Sequence, residues 1–245
     1  MTVTLLIGGA RSGKSSLAVA RALDWQRGGS LIRNVVFIAT GSAGDGEMAD
    51  RIRRHRGERP ESWGTVEAPV DLVAGLRSAC GFSFSAPSGS IDGSAADSIT
   101  GSLAGSLAGF LAGSATDFRT ESPALIVDCL SMWVANHLMG PAQKVSEEEE
   151  SASVDTGPYN DPVDVDWDAA ERELLRQVEE VFALLRTRSA PTWFVTNEVG
   201  LSLVPMSVMG RRYRDILGRV NAKVSLLADE VFLTVAGRVL RLDRP

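Results

Sequence analysis

With 245 residues, 44% of them hydrophobic, the chain can build a real core as one large domain or two small ones. No apolar run reaches transmembrane length and no N-terminal stretch reads as a signal peptide. The two cysteines, Cys80 and Cys129, have neither metal-site nor disulfide-framework spacing, so a reducing cytoplasm is the expected compartment. The net charge of −6 is uneven: residues 146–168 hold nine acids and no Lys or Arg, leaving a mildly basic remainder. That balance suits an anionic small ligand and is too weak to argue for nucleic acid.

The first predicted element is a buried strand, Val3 to Ile7. It runs into GGARSGKS, residues 8–15, which fits G-x-x-x-x-G-K-[ST]. Gly8, Gly9, Ala10, Arg11, Ser12 and Gly13 form the turn, and Lys14 and Ser15 open a helix expected over Ser16 to Arg27, with Leu17, Ala20, Ala22 and Leu23 inward. A strand, a Gly-rich turn and a helix N-terminus make a phosphate cradle. Its N–H groups and helix dipole favour an anion, Lys14 reaches the outer phosphates, and Ser15 can ligate Mg²⁺. A nucleoside triphosphate, ATP or GTP, is therefore the expected ligand, while the motif leaves open what is done with it.

Val35 to Ala39 reads as a second buried strand ending in Thr40-Gly41-Ser42. A polar helix follows at about Glu47 to Arg56, then a short strand at Thr65 to Glu67 and a helix from Asp71 to Ala79. Residues 81–122 are rich in Gly, Ser and Ala and carry a period-four repeat from Gly101, the composition of a flexible insertion. Ala124 to Asp128 is an apolar strand ending in a carboxylate, the place where P-loop proteins hold Mg²⁺. A helix from about Leu130 to Met139 follows, then an acidic linker, so that a second insertion spans about 141–166.

Ala169 to Arg188 is an amphipathic helix, Thr192 to Thr196 a buried strand, and 206–228 a long basic helix. Val231 to Val235 and Val239 to Leu242 form a closing hairpin. Alternating strands and helices predict an α/β fold: a P-loop NTPase (RecA-like), mostly parallel sheet with helices on both faces and a C-terminal β-hairpin. One such domain is expected over 1–245, interrupted by the two insertions.

Several segments together resemble the bifunctional adenosylcobinamide kinase / adenosylcobinamide-phosphate guanylyltransferase family of cobalamin biosynthesis. GGARSGKS is similar to its P-loop. Residues 38–69, with Asp45, Glu47, Met48, Arg51, Ile52, His55, Arg59, Pro60, Trp63 and Glu67, resemble its most specific block. IVDCLSMWVANHL, VTNEVGLSLVP and RRYRDILGRVNAKVSLLADEVFLTVAG resemble its later strands and helices. Two departures stand out: the insertions, and the stretch Met206 to Arg212, which is more apolar than the family's pattern.

The resemblance implies two reactions. The hydroxyl of adenosylcobinamide is phosphorylated by a nucleoside triphosphate, and GMP from GTP is then joined to adenosylcobinamide-phosphate. It implies a GMP-histidine at His55, with Lys14 as the other catalytic residue. Thr40, Gly41, Ser42, Arg56, Gly57, Glu58, Arg59 and Glu67 would line the nucleotide site, with Mg²⁺ on Ser15 and Asp128. It also implies a trimer, without membrane insertion or nucleic acid. A neutral imidazole suits such a nucleophile, and the arginines around His55 suit phosphate; the bland reading of the same residues is a solvated basic helix. Glu67 is equally a ribose acceptor or a solvated strand-end acid. Asn197 and Glu198 either orient substrate or cap the next turn. Arg212, Arg214 and Asp215 belong to a substrate or subunit surface, or to plain solvent. His137, on an apolar helix, reads as structural. Two other functions stay open: a different small-molecule P-loop kinase with His55 incidental, and a nucleotide-switched binding module.

Overall fold

The computed structural model describes residues 2–28, 33–41, 56, 57, 59–81, 122–148 and 166–243. The helix predicted at about Glu47 to Arg56 falls almost wholly outside them.

Among the described residues the strands are β1 (Val3–Gly8), β2 (Val35–Ala39), β3 (Gly64–Glu67), β4 (Ala124–Asp128), β5 (Thr192–Asn197), β6 (Glu230–Val235) and β7 (Arg238–Leu242). They form one sheet in the order β3-β2-β4-β5-β1-β6-β7. Every pairing is parallel except β6 with β7. Strands covered on both faces must be apolar on both, which is why they read as continuous Val, Ile and Leu runs. Successive side chains divide between two cores. Leu6, Phe37, Ile126, Trp193 and Val195 point to one face, where α1 (Lys14–Arg27) packs through Ala18 and Ala22. Leu5, Ile38, Leu125, Val127 and Phe194 point to the other. That second face is covered by α2 (Leu72–Cys80), α3 (Leu130–Glu148), α4 (Trp167–Leu185) and α5 (Val208–Leu227). This is the P-loop α/β architecture expected, with β5 between the P-loop strand and the strand that ends in Asp128.

The helix starts are set by short polar side chains. Asp71 accepts from the N–H of Ala74, Asp166 from that of Ala169 and Ser207 from that of Gly210. Three expectations need correction. The inner face of α1 is carried by Ala18 and Ala22, with Ala20 exposed. The helix after β4 runs to Glu148, not Met139. The last helix begins at Val208, because Ser207 caps it. Among the described residues no helix is long and apolar enough to cross a membrane.

His137 is structural, as its apolar helix suggested. Its ring meets Trp133 edge-on at 5.4 Å, and Nε2 lies 3.3 Å from the Gln177 amide nitrogen. Burial lowers its pKa, against smaller upward pulls from the Trp133 backbone, Glu173 and Asp71. The unfolded chain therefore binds this proton more readily than the folded one. The neutral ring's contribution is complete above the ordinary histidine pKa, about 6.5, and is lost as pH falls below it. Replacing His137 with Gln should flatten that part of the stability curve, read as urea midpoints between pH 5 and 7.5. An unchanged slope would remove His137 from the account.

Candidate functional site

Five strand ends meet along one edge of the sheet. Gly8 pairs with Asn197, Ala39 with Asp128 and Ala39 with Glu67, so the loops after β1, β2, β3, β4 and β5 all leave from the same side. After β1 the chain turns to the α1 face, and after β5 to the opposite face. Adjacent strands whose connections diverge in this way open a crevice at their carboxyl ends, where α/β proteins place ligands.

The turn between β1 and α1 is held in a shape that L-residues rarely adopt. Arg11 has φ 54° and Gly13 φ 96°. Gly13 is the cap of α1, so no side chain competes for the helix's first N–H groups. Lys14 is buried, and its Nζ donates to the carbonyls of Gly8 at 3.0 Å and Gly9 at 2.6 Å. The ammonium thus sits inside the loop, next to the exposed N-terminus of the helix.

The closing hairpin braces this loop, a role that sequence patterning did not reveal. Ala236 and Gly237 both have positive φ, 48° and 74°, as a tight two-residue hairpin requires. The tip reaches the P-loop, where the Gly237 N–H donates to the Ser12 carbonyl at 3.2 Å. Behind it the hydroxyls of Ser12 and Thr234 share a buried hydrogen bond of 2.8 Å. At Gly8 the approach is closest. A Cβ there would lie 2.2 Å from the Thr234 carbonyl oxygen and 2.6 Å from its hydroxyl. Gly8→Ala therefore has to part β1 from β6, at a cost of about 1–3 kcal/mol. A lower melting temperature together with weaker GTP binding is expected, and a variant that binds GTP like the parent would contradict it.

The ends of β2 and β4 are welded by Thr40. Its hydroxyl donates to the Cys129 carbonyl and accepts from the Cys129 N–H, both at 2.7 Å. Asn136 donates to the carbonyls of Thr40 and Pro69, tying β2, β3 and α3 together. Asp128, half-buried, stands at this junction. The Cys129 thiol is pushed up by burial and then by the Asp128 charge, with a Ser131 hydrogen bond and Lys14 pulling the other way. Asp128 and Lys14 thus act on the same thiol in opposite directions. Ser15 and Asp128 offer two hard oxygen donors, a fit for Mg²⁺, which commonly takes one or two protein oxygens beside phosphates and water. Among the described residues no group of three His, Cys, Asp or Glu could hold a metal by itself.

The remaining expected site residues are spread more widely. Gly41 follows Thr40 at the β2 end, and Glu67 is exposed at the end of β3, the sheet's edge strand. Arg56, Gly57 and Arg59 line a separate cavity of about 640 Å³ with Pro60, Glu61, Trp63 and Thr65. That cavity lies on the α1 face, where the Arg59 guanidinium stacks 3.4 Å from the Phe37 ring centre and Trp63 donates to Gln26. Its described lining includes no P-loop residue. Ser42, His55 and Glu58 lie outside the described residues. Glu198 takes the capping role: its carboxylate accepts from the N–H groups of Gly200 and Leu201. Asn197 uses its carbonyl, which accepts from Asn221.

Comparison with known proteins decides the family. The profile of the cobinamide kinase / cobinamide phosphate guanyltransferase family matches residues 4–83 and 110–242. The chain belongs to that family. It is a kinase and nucleotidyltransferase by that membership, and the internal residues left unmatched fall within the Gly/Ser/Ala segment. The bifunctional adenosylcobalamin biosynthesis protein CobU of Escherichia coli is 30% identical over 95% of each chain. Its counterpart in Salmonella typhimurium is also 30% identical over 95% of each. CobP of Pseudomonas aeruginosa, of the same description, is 31% identical over 95% of this chain and 92% of its own. Among solved structures, an ATPase domain aligns with 95% of this chain and 68% of its own, at 9% identity and a TM-score of 0.44.

Proposed function

We propose that this protein carries out two successive transfers in cobalamin biosynthesis at the P-loop crevice. In the first, the hydroxyl oxygen of adenosylcobinamide attacks the γ-phosphorus of a nucleoside triphosphate. The hydroxyl proton is lost, the nucleoside diphosphate leaves, and adenosylcobinamide-phosphate remains. In the second, a ring nitrogen of His55 attacks the α-phosphorus of GTP and pyrophosphate leaves. A phosphate oxygen of adenosylcobinamide-phosphate then displaces the histidine, giving adenosylcobinamide-GDP and restoring the imidazole.

The observation that carries this reading is the braced loop with buried Lys14, in a chain whose family profile spans nearly all of its length. The Lys14 ammonium and the N-terminal N–H groups of α1 bind phosphate charge that grows in the transition state. Ser15 and Asp128 would hold Mg²⁺, which supplies neutralisation of phosphate oxygens. Thr40, Gly41 and Ser42 would line the nucleotide, while Glu67 at the sheet's edge and Arg56 to Arg59, whose described members line the separate cavity on the α1 face, would attend the guanylyl group from that side.

Incubation with labelled GTP, Mg²⁺ and adenosylcobinamide, followed by chromatography, tests the proposal. Adenosylcobinamide-phosphate should appear first and adenosylcobinamide-GDP after it. Phosphorylation of an unrelated alcohol, with the corrinoid untouched, would make this a different small-molecule kinase. Nucleotide binding that alters partner affinity without turnover would make it a switched binding module.

A further inference from the structure

The turn from β4 into α3 is a single residue long. β4 ends at Asp128, α3 opens at Leu130, and Cys129 alone connects them. The backbone around Cys129 therefore sets how Asp128 is presented at the strand end. Thr40, the residue after β2, holds that backbone on both sides of Cys129. Its N–H donates to the Asp128 carbonyl at 3.2 Å. Its hydroxyl accepts from the Cys129 N–H and donates to the Cys129 carbonyl, each at 2.7 Å. The Cys129 carbonyl also accepts from the Trp133 N–H at 3.2 Å, which carries the same restraint into the first turn of α3.

Each polar group of Thr40 is already committed to the protein. Its carbonyl accepts from the Asn136 amide at 2.8 Å, and that amide is fixed in turn by donating to the Pro69 carbonyl at 2.9 Å. Thr40 is 0% exposed. A hydroxyl at the end of the apolar strand β2 is costly to bury unless its hydrogen-bonding capacity is used, and here it both donates and accepts. Its β-branched side chain is stiff about χ1, which keeps the hydroxyl on Cys129.

We infer that Thr40 is a positioning residue for Asp128, serving the reaction by fixing the strand end that carries this carboxylate and not by touching the nucleotide. The inference rests on the proposed function, in which Asp128 would hold Mg²⁺. It narrows the part of Thr40 in that site to the wall behind Asp128. Mg²⁺ demands near-ideal octahedral geometry, so a carboxylate loosened at its strand end is a poorer ligand. Groups that orient a metal-binding side chain commonly change metal affinity by about 10–100-fold when removed.

Thr40→Val and Thr40→Ser test it beside Asp128→Asn. Valine keeps the shape and loses both hydroxyl hydrogen bonds, while serine keeps the hydroxyl. Binding of labelled GTP is measured by equilibrium dialysis, first in EDTA and then as Mg²⁺ is titrated. In EDTA, Thr40→Val should bind GTP like the parent. Its Mg²⁺ midpoint should rise about tenfold or more. Thr40→Ser should restore the low midpoint, and Thr40→Val should add nothing further in the Asp128→Asn background. Should Thr40→Val fail to fold, Asn136→Ala loosens Thr40 from α3 with the hydroxyl intact and should raise the midpoint in smaller measure. Weaker GTP binding in EDTA with a parental Mg²⁺ midpoint would mean that Thr40 touches the nucleotide, and overturns the inference. A lower melting temperature with a parental midpoint would leave Thr40 a purely structural part, and overturns it too. An Asp128→Asn variant with the parent's midpoint overturns the Mg²⁺ reading and this inference with it. A raised midpoint in Asp128→Asn but not in Thr40→Val overturns the inference alone.

Discussion

Lys14→Ala is expected to lower phosphoryl transfer and GMP transfer together, each by about a hundredfold or more, the usual loss when one charge-stabilising donor is removed from such a site. The reason is geometric. Among the described residues there is a single loop–helix cradle of this kind, and Lys14 is its buried cation, donating to the Gly8 and Gly9 carbonyls. Both proposed reactions break a bond to phosphorus in a triphosphate, so both load charge onto the same cradle. The variant should still fold, because α1 is held on the sheet by Ala18 and Ala22. A folded variant that transfers GMP at the parent's rate would show that the two reactions use separate nucleotide sites.

His55→Ala is expected to divide the two activities. GMP transfer should disappear, and the reaction should stop at adenosylcobinamide-phosphate. Phosphorylating the hydroxyl needs the cradle and a positioned acceptor but no protein nucleophile, so the kinase step should continue. A neutral imidazole is the nucleophile best suited to this role near pH 7. Continued formation of adenosylcobinamide-GDP by the variant would mean that the phosphate attacks GTP directly. Loss of both steps would give His55 a part in binding the triphosphate.

Much of the fold was legible because its signals are local. β1, β2, β4 and β5 are short apolar runs, and burial on both faces requires such runs. The P-loop was legible because a fixed spacing of glycines, Lys14 and Ser15 is what a phosphate cradle demands. What the chain did not disclose depends on distant partners. Ala18 rather than Ala20 faces the sheet, lying one turn from the buried Lys14 and Ala22 on the same side of α1. The helix that starts at Leu130 continues through Gly140 and Pro141, residues that read as a stop. Nothing local marks Asn136 or Tyr213, yet their hydrogen bonds to the Thr40 and Ser131 carbonyls join elements far apart in sequence. The hairpin turn at Ala236-Gly237 was visible, but not the P-loop it rests on, since nothing local encodes the contact from Gly237 to Ser12. Glu198 carried two even readings, and its hydrogen bonds to Gly200 and Leu201 select the cap.

The central claim is that one protein both phosphorylates the corrinoid and carries GMP on His55, and covalent labelling tests it most directly. The protein is incubated with Mg²⁺ and GTP labelled at either the α- or the γ-phosphate, with no corrinoid present. The account predicts protein-bound label from α-labelled GTP alone, because pyrophosphate leaves with the γ-phosphate. The label should be released by mild acid and survive base, since a P–N bond breaks after its nitrogen is protonated. It should pass to adenosylcobinamide-phosphate when that acceptor is added, and be absent from His55→Ala. Label retained from the γ-phosphate would contradict the account, as would equal labelling of His55→Ala, or an unlabelled parent that still makes adenosylcobinamide-GDP.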